Sequence, residues 1–202
     1  GYSAGFLYEF PGLDLLKVIP VLRKMLYAII RNAIEGGVKF IEHGTLASED
    51  TIKMMAERKI SLTPTLSIME LIHNNGKAAG LKSENLEKLK MIRDRGRDVI
   101  GMARKYGVNI MTGTDLLGVT DMDIDFGKNW MEIVLLSETG GLTPLEALQA
   151  STGNCDVPGK KIGRIMPGYG ADIISLKGNP LESIRDVSRT GMVMKSGKIV
   201  KS

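Results

Sequence analysis

Two rhythms of apolar residues alternate along the chain, and their alternation predicts the architecture. Residues 28–35 carry apolar side chains at helical spacing and stop at Gly36-Gly37, a helix-terminating pair. Val38-Lys39-Phe40-Ile41 is a short β-prone run that ends in Glu42-His43-Gly44. The segment 45–57 predicts a helix with Ser48 as N-cap and Ile52, Met55 and Ala56 on one face. Residues 60–65 (ISLTPT) predict a second strand closed by Pro64, and a helical region over 67–106, broken near 76–82, runs to Tyr106-Gly107. Residues 108–111 predict a third strand leading into Thr112-Gly113-Thr114-Asp115. Helices near 127–139 and 143–152 follow, the second opened by Thr143 as N-cap and Pro144 at the first helical position.

From residue 163 the rhythm changes. The stretch 163–170 (GRIMPGYG) is turn-rich, while 171–176 and 191–201 predict strands, the latter a hairpin turning at Ser196-Gly197. The order is therefore β-α-β-α-β-α followed by a small β appendage. Such alternation implies an α/β fold with a parallel sheet and covering helices.

Composition narrows the function classes. The 27 basic and 23 acidic residues leave a formal +4 that is dispersed, and the most charged stretch, 82–105, mixes both signs as the wet face of a helix does. Aromatic residues are scarce and do not alternate with basic ones, which argues against a nucleic-acid partner. The single cysteine, Cys155, excludes an internal disulfide framework and fits a reducing, cytoplasmic compartment. No histidine lies near it in sequence, so it reads as a buried or incidental thiol. Residues 13–30 are apolar, but Asp14, Lys17, Arg23 and Lys24 interrupt the run and Pro20 breaks it. An amphipathic packing helix is expected there, with no membrane partner.

Two residues stand where α/β folds place chemistry. His43 and Asp115 each fall just past the C-terminal end of an expected parallel strand, beside Gly44 and Gly113. Together they could bind zinc or act as a base and its orienter. They could equally cap a strand and a helix, and spacing alone leaves both readings open.

Motifs in order resolve this further. Ile41-Glu42-His43-Gly44-Thr45, Met55-Ala56-Glu57-Arg58 and Thr63-Pro64-Thr65-Leu66 are followed by Gly107-Val108 and Thr112-Gly113-Thr114-Asp115. Then come Thr143-Pro144-Leu145-Glu146-Ala147-Leu148, Ala150-Ser151-Thr152 and Ile162-Gly163-Arg164-Ile165. Pro167-Gly168, Ala171-Asp172-Ile173-Ile174 and Val193-Met194-Lys195-Ser196-Gly197-Lys198 complete the series. Over residues 28–202 the chain resembles the amidohydrolase superfamily, in its imidazolonepropionase-like and Xaa-Pro-dipeptidase-like branch. The resemblance implies the last strands and helices of a (β/α)8 TIM-type barrel holding divalent metal, zinc above all. By that resemblance His43 is the metal ligand after the sixth strand. Asp115, after the eighth, is both metal ligand and catalytic proton carrier. The implied organisation is an atypical N-terminal segment at 1–27, a partial barrel at 28–155 and a β appendage at 156–202.

The departures are as specific. The family's His-x-His after the first strand has no counterpart, nor does its bridging carboxylated lysine. The window expected to hold the histidine after the fifth strand reads Arg23-Lys24-Met25-Leu26, and the other histidine, His73, sits in a polar helical segment that reads as solvated. Asn154-Cys155-Asp156-Val157-Pro158 looks shortened. Exposed strand edges lead to the expectation of a homo-oligomer. The expected activity is hydrolysis of an amide, ester or lactone in a small-molecule or peptide-like substrate. Two alternatives remain: a catalytically impaired relative serving as an assembly or binding module, or a serine esterase using Gly1-Tyr2-Ser3-Ala4-Gly5 as a nucleophile elbow.

Overall fold

A computed structural model describes residues 28–116, 127–155 and 159–202. The expected amphipathic helix before residue 28, the Gly1–Gly5 motif, the 23–26 window and residues 156–158 of the shortened link lie outside the described residues.

Helix α1 (28–35) stops at Gly37, whose φ of 84° only glycine adopts without strain. Strand β1 (Phe40–Glu42) leads through a tight loop to helix α2 (Glu49–Glu57). The helix begins directly after Ser48, the expected N-cap, rather than at residue 45: Ser48 is extended and its hydroxyl accepts the Thr51 amide at 3.1 Å. Strand β2 (Ser61–Thr63) pairs parallel to β1 in the register Phe40↔Ser61, Ile41↔Leu62, Glu42↔Thr63, and ends at Pro64. The expected third strand shrinks to a bridge: the Leu62 amide donates to Asn109, and the Met111 amide to Leu62, both at 2.9 Å. Pairing ends there because the next donor due to Met111 is Pro64, which has no N–H.

The 67–106 region divides as expected into α3 (Leu66–Asn75) and α4 (Ser83–Lys105). Helices α5 (Trp130–Glu138) and α6 (Pro144–Ala150) follow. Helix α6 opens with a capping box: the Glu146 amide donates to Thr143 Oγ1 and the Thr143 amide to Glu146 Oε2. Side chains alternate across the parallel sheet. Ile41, Leu62 and Ile110 point one way and join Ile52, Met55, Ile100 and Leu136 in the main apolar cluster. Each such side chain, fully buried, stabilises the fold by about 1.5–3 kcal/mol. Glu42 and Thr63, with Met111 beside them, share the opposite face, which is left for chemistry. Helix α4 buries Leu89, Gly96, Val99, Ile100 and Ala103; Glu84, Lys90, Asp94 and Asp98 lie exposed, whereas Arg93 and Arg95 are largely enclosed, so the helix is less fully wetted than its mixed-sign pattern predicts.

The last strands form a second sheet, antiparallel, of β3 (Ile173–Leu176), β4 (Thr190–Lys195) and β5 (Lys198–Lys201), in that order. Ser196 and Gly197, with φ of 49° and 78°, form the two-residue turn between β4 and β5. A 3-10 turn (Ile184–Ser188) between β3 and β4 docks this sheet: Ile184 and Val187 enter the main cluster, and Arg185 Nε donates to Glu138 on α5 at 2.7 Å. No described helix is long and apolar enough to cross a membrane.

Candidate functional site

The three parallel segments share an unusual ending. Past β1, β2 and the Ile110 bridge, His43, Thr65 and Asp115 take left-handed backbone with φ of 63°, 55° and 52°. Histidine and aspartate tolerate that region, whereas for β-branched Thr65 it is a true outlier. Conformations of this kind cost on the order of 1–3 kcal/mol each and concentrate where a site must be held in shape.

The result is convergence. His43 Nδ1 lies 2.7 Å from Thr65 Oγ1, and His43 Nε2 lies 3.8 Å from Asp115 Oδ2. That second separation is too long for a hydrogen bond. Both side chains stay accessible, at 31% and 40% exposure, so the site opens to solvent. Two glycines permit the approach. Gly44 has φ 58°, and a Cβ there would meet Leu62 Cδ1 at 2.6 Å; at Gly113 a Cβ would meet Thr63 Cγ2 at 2.4 Å. Gly113 therefore serves close packing against β2, and the left-handed backbone of this loop falls on Asp115.

Behind the site sits Glu132, a fully buried carboxylate on α5. Its Oε1 accepts the Leu66 amide at 2.9 Å, and its Oε2 accepts the Ser67 amide at 2.7 Å and hydroxyl at 2.6 Å. It thus caps α3, whose own N-cap residue, Thr65, makes no side-chain capping bond. Burial pushes the Glu132 carboxyl above the usual carboxylate range, opposed by these same hydrogen bonds. Sequence reasoning missed both residues. The signal for Glu132 was there: one acid inside the apolar run of α5.

The remaining candidates separate from the site. His73 is half-buried on α3, with Nδ1 enclosed and unpartnered, so it is not the solvated residue expected. Cys155 is half-buried, its thiol donating to the Ala150 carbonyl, and burial raises its pKa, the reverse of an activated nucleophile. Among the described residues no group of three or more His, Cys, Asp or Glu side chains is placed to hold a metal ion. His43 and Asp115 supply two donors of suitable chemistry, one short of the usual minimum.

The profile of the amidohydrolase family matches residues 26–200. The chain belongs to the amidohydrolase family. It is 34% identical over 182 residues to the ochratoxinase of Aspergillus niger, covering 85% of this chain and 36% of that one. The crystal structure of that ochratoxinase superposes with a TM-score of 0.73 over 87% of this chain and 40% of the other. A Xaa-Pro dipeptidase with bound methionine in the active site superposes at 0.74 with 30% identity, over 87% and 43% of the two chains. A prolidase complexed with N-methylphosphonate-L-proline superposes at 0.72 with 31% identity, over 86% and 43%. The chain thus spans less than half the length of these relatives.

Proposed function

We propose that the chain is the C-terminal part of a metal-dependent hydrolase that cleaves an amide, ester or lactone bond in a small-molecule or peptide-like substrate. The observation that carries this reading is the convergence of His43 Nε2 and Asp115 Oδ2, 3.8 Å apart, past the C-terminal ends of parallel segments. On this reading β1, β2 and the Ile110 bridge are an arc of a (β/α)8 barrel spanning 28–155, with 156–202 its β appendage. His43 and Asp115 would hold a divalent metal, zinc by preference. Such a metal, when bound, polarises a carbonyl and brings water within reach of deprotonation at neutral pH. Asp115, open to solvent beside the imidazole, would be the residue to take a proton from the attacking water and hand it to the leaving group. The names of the relatives, prolidase and Xaa-Pro dipeptidase, speak for peptide-like substrates.

Elemental analysis of the purified chain tests the reading. Bound metal, lost on His43→Ala and on Asp115→Ala, is expected; a metal-free chain that added zinc does not load would refute it. That negative result would favour the second reading, a binding or assembly module, which rests on the absence of a third ligand among the described residues. Both readings include a homo-oligomer, since β1 pairs with β2 alone among the described residues. Size-exclusion chromatography with light scattering reads the mass directly, and a compact monomer would overturn the oligomer.

A further inference from the structure

We infer that Thr65 is a positioning residue that fixes the tautomer of His43, keeping the proton on Nδ1 and leaving Nε2 bare. The inference deepens the proposed function, because a bare Nε2 is what a metal at this site would require.

Proton accounting leads to it. A threonine hydroxyl has one hydrogen to give and two lone pairs to receive with. Thr65 Oγ1 gives its hydrogen to the carbonyl of Pro64 at 2.8 Å, a buried bond. Only lone pairs then remain toward His43 Nδ1, at 2.7 Å, and both short contacts are hydrogen bonds at once only when Nδ1 carries the proton. Neutral imidazole carries one ring proton, and with that proton on Nδ1, Nε2 presents a lone pair toward the Asp115 side.

The backbone enforces the arrangement. At φ 55° and ψ 48° Thr65 turns its hydroxyl back toward both Pro64 and His43. A β-branched residue does not rest there unaided. Glu132 holds the next two amides, Leu66 and Ser67, from a buried position across the helix layer. The order of support therefore runs from Glu132 through the start of α3 to Thr65 and on to the imidazole. An imidazole without such an acceptor favours the Nε2–H form, which would point a proton at the place a cation needs.

The test is nitrogen-15 NMR of the imidazole, recorded where the ring is neutral, with His43→Asn identifying the signals of His43 against those of His73. Zinc titration by calorimetry runs beside it. In the unsubstituted chain His43 should show a pyridine-type Nε2 and a pyrrole-type Nδ1. Thr65→Val, which keeps the β-branch but not the acceptor, should move the proton to Nε2 and weaken zinc binding by about 10–100-fold. Thr65→Ser should restore both. A pyrrole-type Nε2 in the unsubstituted chain overturns the inference without any variant having to fold, and so does an unchanged tautomer in folded Thr65→Val. The expected tautomers together with no zinc binding in any chain would uphold Thr65 and refute the metal reading of His43.

Discussion

Replacing Glu132 with alanine strips the start of α3 of its acceptor, and the cost can be worked from the contacts. Three donors lose their partner: the Leu66 amide, the Ser67 amide and the Ser67 hydroxyl. Each buried donor left without a partner costs about 1–3 kcal/mol, which makes the gross loss about 3–9 kcal/mol. Two effects offset it. The carboxylate's desolvation penalty, several kcal/mol for a buried ion, disappears. The vacated space also admits a water that can satisfy a donor. We expect a net destabilisation of about 2–4 kcal/mol, within the range seen for broken buried networks. Trp130, the only tryptophan, lies two residues before Glu132 on α5, so its fluorescence reports urea unfolding beside the change.

The pH dependence supplies a second, independent check on Glu132. Burial raises its carboxyl pKa, so the folded chain binds more protons than the unfolded chain above the ordinary glutamate value of about 4.3. This group's contribution is fully present below that value and is lost as pH rises through the raised folded pKa. Glu132→Gln carries no such proton. The stability gap between the parent and Glu132→Gln should therefore narrow as pH rises across that window. Glu132→Ala lying within about 0.5 kcal/mol of the parent, the scatter of ordinary surface changes, would refute the clamp. A gap that stays flat with pH would refute the account of the buried carboxyl.

Two further substitutions probe the frame around the site. Thr143→Ala removes the N-cap of α6 and should cost about 1 kcal/mol, read as a lowered urea midpoint; no change would mean the capping box contributes nothing. Its partner Glu146 is held below the usual carboxylate range, first by the Thr143 amide. Its contribution is present above the unfolded value and lost as pH falls through the lowered folded one, so the gap between parent and Glu146→Gln should shrink in acid. Gly113→Ala places a Cβ 2.4 Å from Thr63 Cγ2 and should destabilise by about 1–3 kcal/mol. An unchanged midpoint there would show that the Asp115 loop yields freely.

Local patterns were legible where local chemistry decides the structure. Ser48 and Thr143 cap the helices the sequence assigns them, and Ser196-Gly197 turns the hairpin, because a hydroxyl or a missing Cβ acts within a few residues. The ends of β1 and of the Ile110 bridge could be found for the same reason, and with them His43 and Asp115. The length of the third strand could not, since it depends on where Pro64 of β2, which has no N–H, falls against it, and no local pattern fixes that register. Thr65 stood in a quoted motif without a role, because a left-handed threonine contradicts its own preference. Glu132 reaches its partners across 65 residues of sequence, and no spacing rule connects an acid on α5 with the first amides of α3.

Left-handed backbone at His43, Thr65 and Asp115 also shapes how the chain can change over generations. Thr65 is the sharpest case, since asparagine adopts its backbone angles with far less strain. A search guided by thermal tolerance alone would accept that exchange and accumulate robust variants in which the imidazole has lost its hydroxyl neighbour. Preference for threonine despite its intrinsic cost, in a library selected for activity and then read out by deep sequencing, is the mark of a position kept for what it does to its neighbour.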